Sequence, residues 1–147
     1  MKVLFVCRGN VGRSQMAEAL FNQLAALTDH RAVSAGTKVK DKEGNDVSGE
    51  MLKDRPGAAH VVAAMAEVNI DVRDNVRDQL DSQMVEAADL VVSMAEEETI
   101  PPYLKETSKV RYWSFPDPKN ATLEEVQATR EAIRAKVTEL FEEISGK

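Results

Sequence analysis

The sequence of 147 residues contains a single cysteine, Cys7, and only two histidines, His30 and His60. One cysteine can form no disulfide within the chain and cannot supply the several thiolates of a cysteine-rich zinc site. Neither histidine has a recognisable acidic or cysteine partner nearby in the sequence, so we expect no catalytic triad and no metal site. We also expect the protein to work without a cofactor.

Long apolar runs and clusters of basic residues are missing as well. No stretch reaches the 18 or so apolar residues of a membrane span, and the six residues before Cys7 are too few for the core of a signal peptide. The formal net charge is −6, whereas a nucleic-acid-binding protein needs a basic surface. We therefore expect a cytoplasmic protein that binds neither membranes nor nucleic acid. An acidic chain can still bind phosphate, because such a site needs only backbone N–H groups and one or two cations.

The distribution of apolar residues predicts an α/β protein with one domain, residues 1–147. The length suits a single domain, and no linker rich in Ser, Gly or Pro divides the chain. Short apolar or β-branched runs predict four strands, at residues 3–6, 31–36, 87–94 and 109–113. Helical patterns alternate with these strands, so we expect a three-layer sandwich around a central four-stranded parallel sheet.

The last predicted helix has the clearest signal. Thr122 and Glu125 form a capping box, and the apolar face that follows consists of Val126, Ile133, Val137, Leu140 and Ile144. Other helices are predicted over residues 57–68, in a short stretch from about Asp81, and after Gly12, where the apolar residues at helical spacing are Met16, Leu20, Leu24 and Leu27. The polar stretch from Lys38 to Gly57 is predicted to be a long surface loop.

Reactive residue types are concentrated between the first strand and the first helix, in the sequence Cys7-Arg8-Gly9-Asn10-Val11-Gly12-Arg13-Ser14. A turn from strand to helix aims several backbone N–H groups at one point, and the helix dipole adds positive charge there. Such a turn suits a phosphate-sized oxyanion, so we expect residues 8–14 to bind phosphate. No Gly-Lys-Ser/Thr sequence follows, which excludes a Walker loop.

Each residue of this segment has a physical task in that interpretation. Cys7 is expected to act as a thiolate nucleophile, and the planar fork of Arg13 can grip two phosphoryl oxygens. Gly9 and Gly12 permit a tight turn close to the anion. Asn10 tolerates a left-handed conformation, and the Ser14 hydroxyl can donate to the thiolate. An isolated cysteine is more often a small buried apolar residue, but Arg13-Ser14 between strand and helix favours catalysis.

The segment from Val6 to Glu18 resembles the signature of low-molecular-weight protein-tyrosine phosphatases, a family whose fold and signature certain arsenate reductases share. The stretches Ser34-Ala35-Gly36-Thr37, Ala88-Asp89-Leu90-Val91-Val92-Ser93-Met94 and Phe115-Pro116-Asp117-Pro118 resemble further landmarks, in the same order. The resemblance implies the phosphotyrosine phosphatase I-like fold. It also implies hydrolysis of phosphotyrosine or similar aryl phosphates through a phosphocysteine intermediate. The expected partners are a phosphorylated protein or a small aryl phosphate, with inorganic phosphate or another oxyanion as product or inhibitor.

The same resemblance assigns roles to two residues outside the 7–14 segment. Asp117 is expected to protonate the leaving group and later to activate water, while Pro118 restrains its loop. Ser34 is expected to hydrogen-bond Asn10. The catalytic residues implied are thus Cys7, Arg13 and Asp117.

Several positions depart from the family pattern. Aromatic residues that usually flank the substrate ring are replaced by lysines, and Lys38, Lys40 and Lys119 would attract an acidic substrate instead. Gly12 stands where certain members have a second loop cysteine. Trp113, Tyr103 and Phe115 either line the mouth of the site or pack in the core. The run Glu96-Glu97-Glu98 is interpreted as a solvated helix start.

Three functions remain open from the sequence. The first is the phosphatase, and the second is a single-cysteine arsenate reductase that uses an external small thiol. The C-terminal half resembles the reductase branch, but the two further cysteines of thioredoxin-coupled members, near Glu96 and Ile100, are absent. The third is a phosphate-binding module without catalysis, which would require neither the Cys7 nucleophile nor the Asp117 acid.

Overall fold

The computed structural model describes residues 1–118 and 120–146 and confirms the predicted α/β fold. Four parallel strands form one sheet in the order β2-β1-β3-β4. Their bounds are Lys2–Cys7 for β1, Arg31–Gly36 for β2, Leu90–Ser93 for β3 and Val110–Tyr112 for β4. The helices are α1 Arg13–Leu24, α2 Ala59–Ala66, α3 Ser82–Ala87, α4 Pro102–Lys105 and α5 Leu123–Ile144. Three single 3₁₀ turns cover residues 52–54, 56–58 and 97–99.

The central strand β1 is buried on both faces, which explains its continuous apolar sequence. Val3, Phe5 and Cys7 face a core cluster that contains residues of α1, α2 and α5. Leu4 and Val6 face a second, smaller cluster that contains residues of α3 and α4. Side chains of successive strand residues point to opposite faces, so this alternation produces the three layers.

Helix α5 covers the larger of the two cores as its sequence predicts. The Thr122 hydroxyl accepts the Glu125 N–H at 3.1 Å, and the Glu125 carboxylate accepts the Thr122 N–H at 3.1 Å, which confirms the capping box. Four residues of the predicted apolar face are buried and Ile144 is half-buried.

Helix α1 is shorter than its apolar spacing predicts. It ends at Leu24, and the chain turns immediately through a Thr28 N–H to Ala25 O bond. Leu27 therefore lies outside the helix and is fully exposed, so its predicted place on the helical face is wrong. Phe21 is completely buried instead, and its ring packs against Phe5 and Phe141.

The 38–57 segment is only in part the surface loop that its polar composition predicts. Val39 and Leu52 are buried, and the segment contains the first 3₁₀ turn. Its backbone is hydrogen-bonded to residues 73–77, for example from Leu52 N–H to Asn75 O at 2.9 Å. These bonds fix residues 49–53 to residues 73–77, and the Val39 N–H donates to Gln79 Oε1 at 2.9 Å. Within the described residues, no helix has the length and apolarity that crossing a membrane requires.

Candidate active site

Cys7 lies at the carboxyl end of β1, and the loop of residues 7–14 connects it to α1. Its thiol is buried, with Sγ 2.9 Å from the Ser14 hydroxyl oxygen. The Asn10 amide nitrogen donates to Ser14 Oγ at 2.8 Å and to Ser34 Oγ at 3.0 Å. Because Ser14 Oγ already accepts from Asn10, its own proton is available to Cys7 Sγ. The structure therefore brings Cys7, Asn10, Ser14 and Ser34 into one hydrogen-bonded chain.

Asn10 is the centre of this arrangement and adopts the left-handed conformation, with φ of 53°. Its side-chain oxygen accepts the Asp78 N–H at 2.8 Å and the Gln15 amide at 3.3 Å. The side chain is completely buried. Asparagine is one of the few residues that tolerate this backbone geometry, and these bonds hold it there.

Three consecutive carbonyl groups of the loop, at residues 7–9, accept hydrogen bonds from segments outside the loop. The Thr37 N–H donates to Cys7 O at 2.9 Å, and the Lys38 N–H donates to Arg8 O at 2.8 Å. Arg77 Nε then donates to Gly9 O at 3.0 Å. In a trans peptide unit the C=O and the N–H point in opposite directions. The amides that follow these carbonyls, at residues 8–10, therefore point toward the inside of the loop, where an oxyanion would bind.

Two glycines permit close approach to this loop. A Cβ at Gly36 would lie 2.7 Å from Arg8 O and 3.0 Å from Asn10 N, so β2 passes directly beside the loop. A Cβ at Gly12 would lie 2.3 Å from Pro118 Cγ. The proline after Asp117 thus packs on the loop itself, which brings the 114–118 segment to the site.

The Arg13 guanidinium is buried and joins the loop to two other segments. Its Nη1 donates to Met94 O at 2.8 Å and to Phe115 O at 3.4 Å. Its Nη2 lies 3.0 Å from Glu96 Oε1 and 3.8 Å from Asp117 Oδ2. Nε is buried without a hydrogen-bond acceptor among the described residues. The predicted arginine and acid are therefore neighbours, and one donor of the arginine is left for another acceptor.

Glu96 was missed as a site residue by the sequence interpretation. A 3₁₀ turn does begin at Glu97, but the preceding Glu96 is half-buried and ion-paired with Arg13. Its Oε2 is buried and has no hydrogen-bond partner in the described residues. The available signal was its position just beyond the carboxyl end of β3, where ligand-contacting residues of a parallel sheet lie.

The aromatic candidates differ in their environments. Trp113 is half-buried and packs on Phe5 and Phe115, and both Trp113 and Phe115 belong to the periphery of the larger core. Tyr103 packs against the smaller core on the opposite face of the sheet. These rings therefore pack on the two cores. Arg8 and Lys38, which are joined by the Lys38 N–H to Arg8 O bond, have exposed side chains, and Lys40 is exposed two positions further on. Lys119 lies outside the described residues.

Two carboxyl groups lie behind the loop, on the side of Ser34. Burial raises the pKa of Glu18, and the nearby Asp78 carboxylate raises it further, while hydrogen bonds with Ser34 lower it. Burial also raises the pKa of Asp78. Because both groups gain protons more readily in the folded protein, ionisation at this position costs stability.

The chain matches known proteins over nearly all of its length. The family model described as low molecular weight phosphotyrosine protein phosphatase matches residues 2–147. Arsenate reductase 1 of Staphylococcus haemolyticus is 30% identical over 141 residues, which cover 95% of this chain and 94% of that protein.

Solved structures with the same fold include phosphatases. A low molecular weight protein tyrosine phosphatase from T. tengcongensis superimposes with a TM-score of 0.81 at 27% identity, covering 97% of this chain and 99% of the other. The YwlE arginine phosphatase, as a C7S mutant, superimposes with a TM-score of 0.77 at 25% identity and covers 99% of this chain and 96% of its own.

Proposed function

The chain belongs to the low molecular weight phosphotyrosine protein phosphatase family, and from this premise we propose that it is a phosphatase with Cys7 as nucleophile. The activity is assigned to one domain, residues 1–147. We infer a cytoplasmic location, because a reducing compartment keeps an unpaired thiol active.

One observation carries the proposal: three groups with complementary chemistry meet at one loop. The Cys7 Sγ lies 2.9 Å from the Ser14 hydroxyl oxygen, and the Asp117 carboxylate lies 3.8 Å from Arg13. The Arg13 Nε–H has no acceptor in the part of the chain that the structure describes. Binding phosphate alone would require neither the thiol nor the acid.

In the first step Cys7 Sγ attacks phosphorus as the thiolate, and an S–P bond forms as the P–O bond to the leaving group breaks. Asp117 gives its proton to the departing oxygen. Loop amides and the Arg13 fork stabilise the charge on the other phosphoryl oxygens. In the second step Asp117 removes a proton from water, which attacks phosphorus and releases inorganic phosphate and the Cys7 thiolate. The Ser14 hydroxyl donates to that thiolate.

Phosphotyrosine or a similar aryl phosphate is the substrate class that the family supports. The exposed basic side chains of Arg8, Lys38 and Lys40 favour a phosphorylated protein with acidic residues near the phosphate, because opposite charges raise the local concentration of substrate.

Arsenate reduction is the second candidate, favoured by the identity of 30% with the staphylococcal arsenate reductase. Here Cys7 would displace hydroxide from arsenate and form an S–As(V) bond. Two equivalents of an external small thiol would then supply two electrons, releasing arsenite and becoming a disulfide. Because Cys7 is the sole cysteine, thioredoxin alone should not support this reaction.

A substrate panel tests the proposal and separates the candidates. Purified protein is given p-nitrophenyl phosphate, a phosphotyrosine peptide, phosphoarginine, and arsenate with glutathione or mycothiol plus a glutaredoxin-type partner. Phosphoarginine is included because an arginine phosphatase is among the similar structures. We expect aryl phosphate turnover without thiol, and none with a Cys7→Ser variant. Negligible aryl phosphate turnover together with release of arsenite would favour the reductase and overturn the proposal.

A further inference from the structure

Arg77 places a second buried guanidinium against the 7–14 loop. Its side chain is 3% exposed, and Nε donates to Gly9 O at 3.0 Å. Nη2 lies over the same residue, since it would be 3.6 Å from a Cβ at Gly9. Arg77 thus contacts the outer surface of the loop, opposite the side toward which the loop amides point.

This bond acts on the peptide unit that joins Gly9 to Asn10. The neighbouring carbonyls of Cys7 and Arg8 accept from neutral backbone donors, whereas Gly9 O accepts from a cation. Bonds with a charged partner are roughly twice as strong as neutral ones. Holding Gly9 O outward keeps the Asn10 N–H inward, and the positive charge polarises that N–H toward an anion. The affected residue is the one with φ of 53°.

Glu50 holds Arg77 in this position. Its Oε1 accepts from Arg77 Nη1 at 2.8 Å. The two backbones are also joined, by Arg77 N–H to Glu50 O at 2.8 Å and by Gly49 N–H to Arg77 O at 2.5 Å. Breaking a buried ion pair from one side leaves an uncompensated charge, so the two side chains keep each other in place.

We propose that Arg77 and Glu50 are a positioning pair that keeps the 7–14 loop in its oxyanion-binding conformation. The pair gives the 38–57 segment a function, since that segment supplies Glu50 and fixes it through the buried Leu52. The proposal rests on the proposed function only in requiring that an oxyanion binds to the loop.

Four variants test the pair: Arg77→Met, Arg77→Lys, Glu50→Gln and a control, Lys53→Met. Lys53 is in the same segment and its Nζ lies 3.0 Å from Asp74 Oδ1, but both side chains are at least half exposed and neither contacts the loop. The probe is tungstate, an inert oxyanion whose Kd is measured by calorimetry. The second readout is the protection of Cys7 by tungstate against alkylation with iodoacetamide, which reports occupancy of the loop; rescue by Arg77→Lys separates the charge of Arg77 from its packing. Thermal unfolding confirms that each variant is folded.

We expect Arg77→Met to weaken tungstate binding roughly 10- to 100-fold, as for loss of a charged hydrogen bond. Protection of Cys7 should accordingly require roughly 10- to 100-fold more tungstate than in wild type. Arg77→Lys should retain part of the affinity, because an ammonium can hold Gly9 O or Glu50 but lacks the planar fork. Glu50→Gln should lie between wild type and Arg77→Met, and Lys53→Met should match wild type.

If folded Arg77→Met binds tungstate with wild-type Kd and shows wild-type protection of Cys7 from alkylation, the proposed positioning role is wrong. If Arg77→Met does not fold, wild-type values in both Arg77→Lys and Glu50→Gln would overturn it equally. Wild-type protein that binds tungstate but hydrolyses no phosphate ester contradicts the proposed function alone, so the two failures are distinguishable.

Discussion

The inner end of the 7–14 loop and its mouth are built differently. Around Asn10, the loop is fixed by buried side chains, including Arg77, and by the backbone N–H groups of Thr37, Lys38 and Asp78. At the mouth, Asp117 is exposed over 43% of its side chain, and its segment meets the loop through Pro118 on Gly12 and Phe115 O at Arg13.

This difference separates binding from chemistry. Donors that recognise an oxyanion need to be preorganised before the anion arrives, and the inner end provides that. An acid that serves a leaving group must face solvent and substrate, because it exchanges protons in both steps. Apart from loss of the nucleophile itself, changes at the inner end should therefore alter anion affinity, whereas changes to Asp117 and its segment at the mouth should alter turnover.

The largest effect should come from Cys7→Ser, which removes the nucleophile but no other part of the inner end. We expect aryl phosphate turnover to fall by roughly 10⁴-fold or more, while tungstate binds with nearly wild-type Kd. Turnover by stopped assay and Kd by calorimetry on one preparation give both values. Appreciable hydrolysis by this variant would mean that another group attacks phosphorus.

Asp117→Asn should come next, because it acts on the mouth alone. We expect kcat to fall by roughly 10²- to 10⁴-fold for a phenyl phosphate and by much less for p-nitrophenyl phosphate, whose leaving group needs little protonation. The tungstate Kd should stay within a few-fold of wild type. An equal loss for both leaving groups would argue that Asp117 positions substrate and does not transfer a proton.

The sequence predicts those contacts whose partners lie close together in the chain or recur with the period of a helix. Cys7, Asn10 and Ser14 lie within one turn between strand and helix, and the α5 cap spans four residues, so both could be predicted. Arg77, Glu50 and Glu96 come from polar stretches without periodicity. Arg77 contacts Gly9 from 68 positions away along the chain, and Glu50 reaches Arg77 across 27 positions. Glu96 pairs with Arg13 from the far side of β3. The polar composition of the 38–57 segment predicts a surface loop, but two of its apolar residues, Val39 and Leu52, are buried.

Gly12→Ala tests whether the 7–14 loop positions the Asp117 segment, because the new Cβ would lie 2.3 Å from Pro118 Cγ. The 114–118 segment must shift to relieve this contact, and a misplaced acid costs roughly 10- to 100-fold in kcat. Adding Pro118→Ala removes the clashing atom and should restore part of the kcat. Gly57→Ala, where the nearest atom is 4.0 Å away, is the matched control. If the double variant is no better than the sum of the single losses, the two residues are not coupled through this contact.

Glu96→Gln should have a smaller effect, and it should strengthen anion binding. Glu96 Oε1 lies 3.0 Å from Arg13 Nη2, and its charge offsets that of the guanidinium. Removing the charge while keeping an acceptor should tighten tungstate binding roughly 2- to 5-fold, less at high salt. Glu98→Gln, an exposed acid two positions later, should change the Kd less. Weaker binding by Glu96→Gln would show that Glu96 chiefly orients Arg13.

The smallest effect concerns stability at the inner end. Burial raises the pKa of Glu18, aided by Asp78, so the folded protein holds this proton more tightly than the unfolded chain does. As pH rises through the ordinary range of a glutamate and up to the raised pKa, the folded state loses stability, and above that pKa the loss is complete.

Glu18→Gln is free of this loss but keeps an oxygen for Ser34. The Tm of Glu18→Gln relative to wild type should therefore increase from pH 4 to pH 7, measured by thermal unfolding. Glu142→Gln replaces an exposed carboxylate on α5 and should show no such trend. If the difference in Tm between Glu18→Gln and wild type is constant or decreases with pH, the folded protein does not disfavour the ionised form of Glu18. The inner end would then tolerate charge as readily as the mouth does.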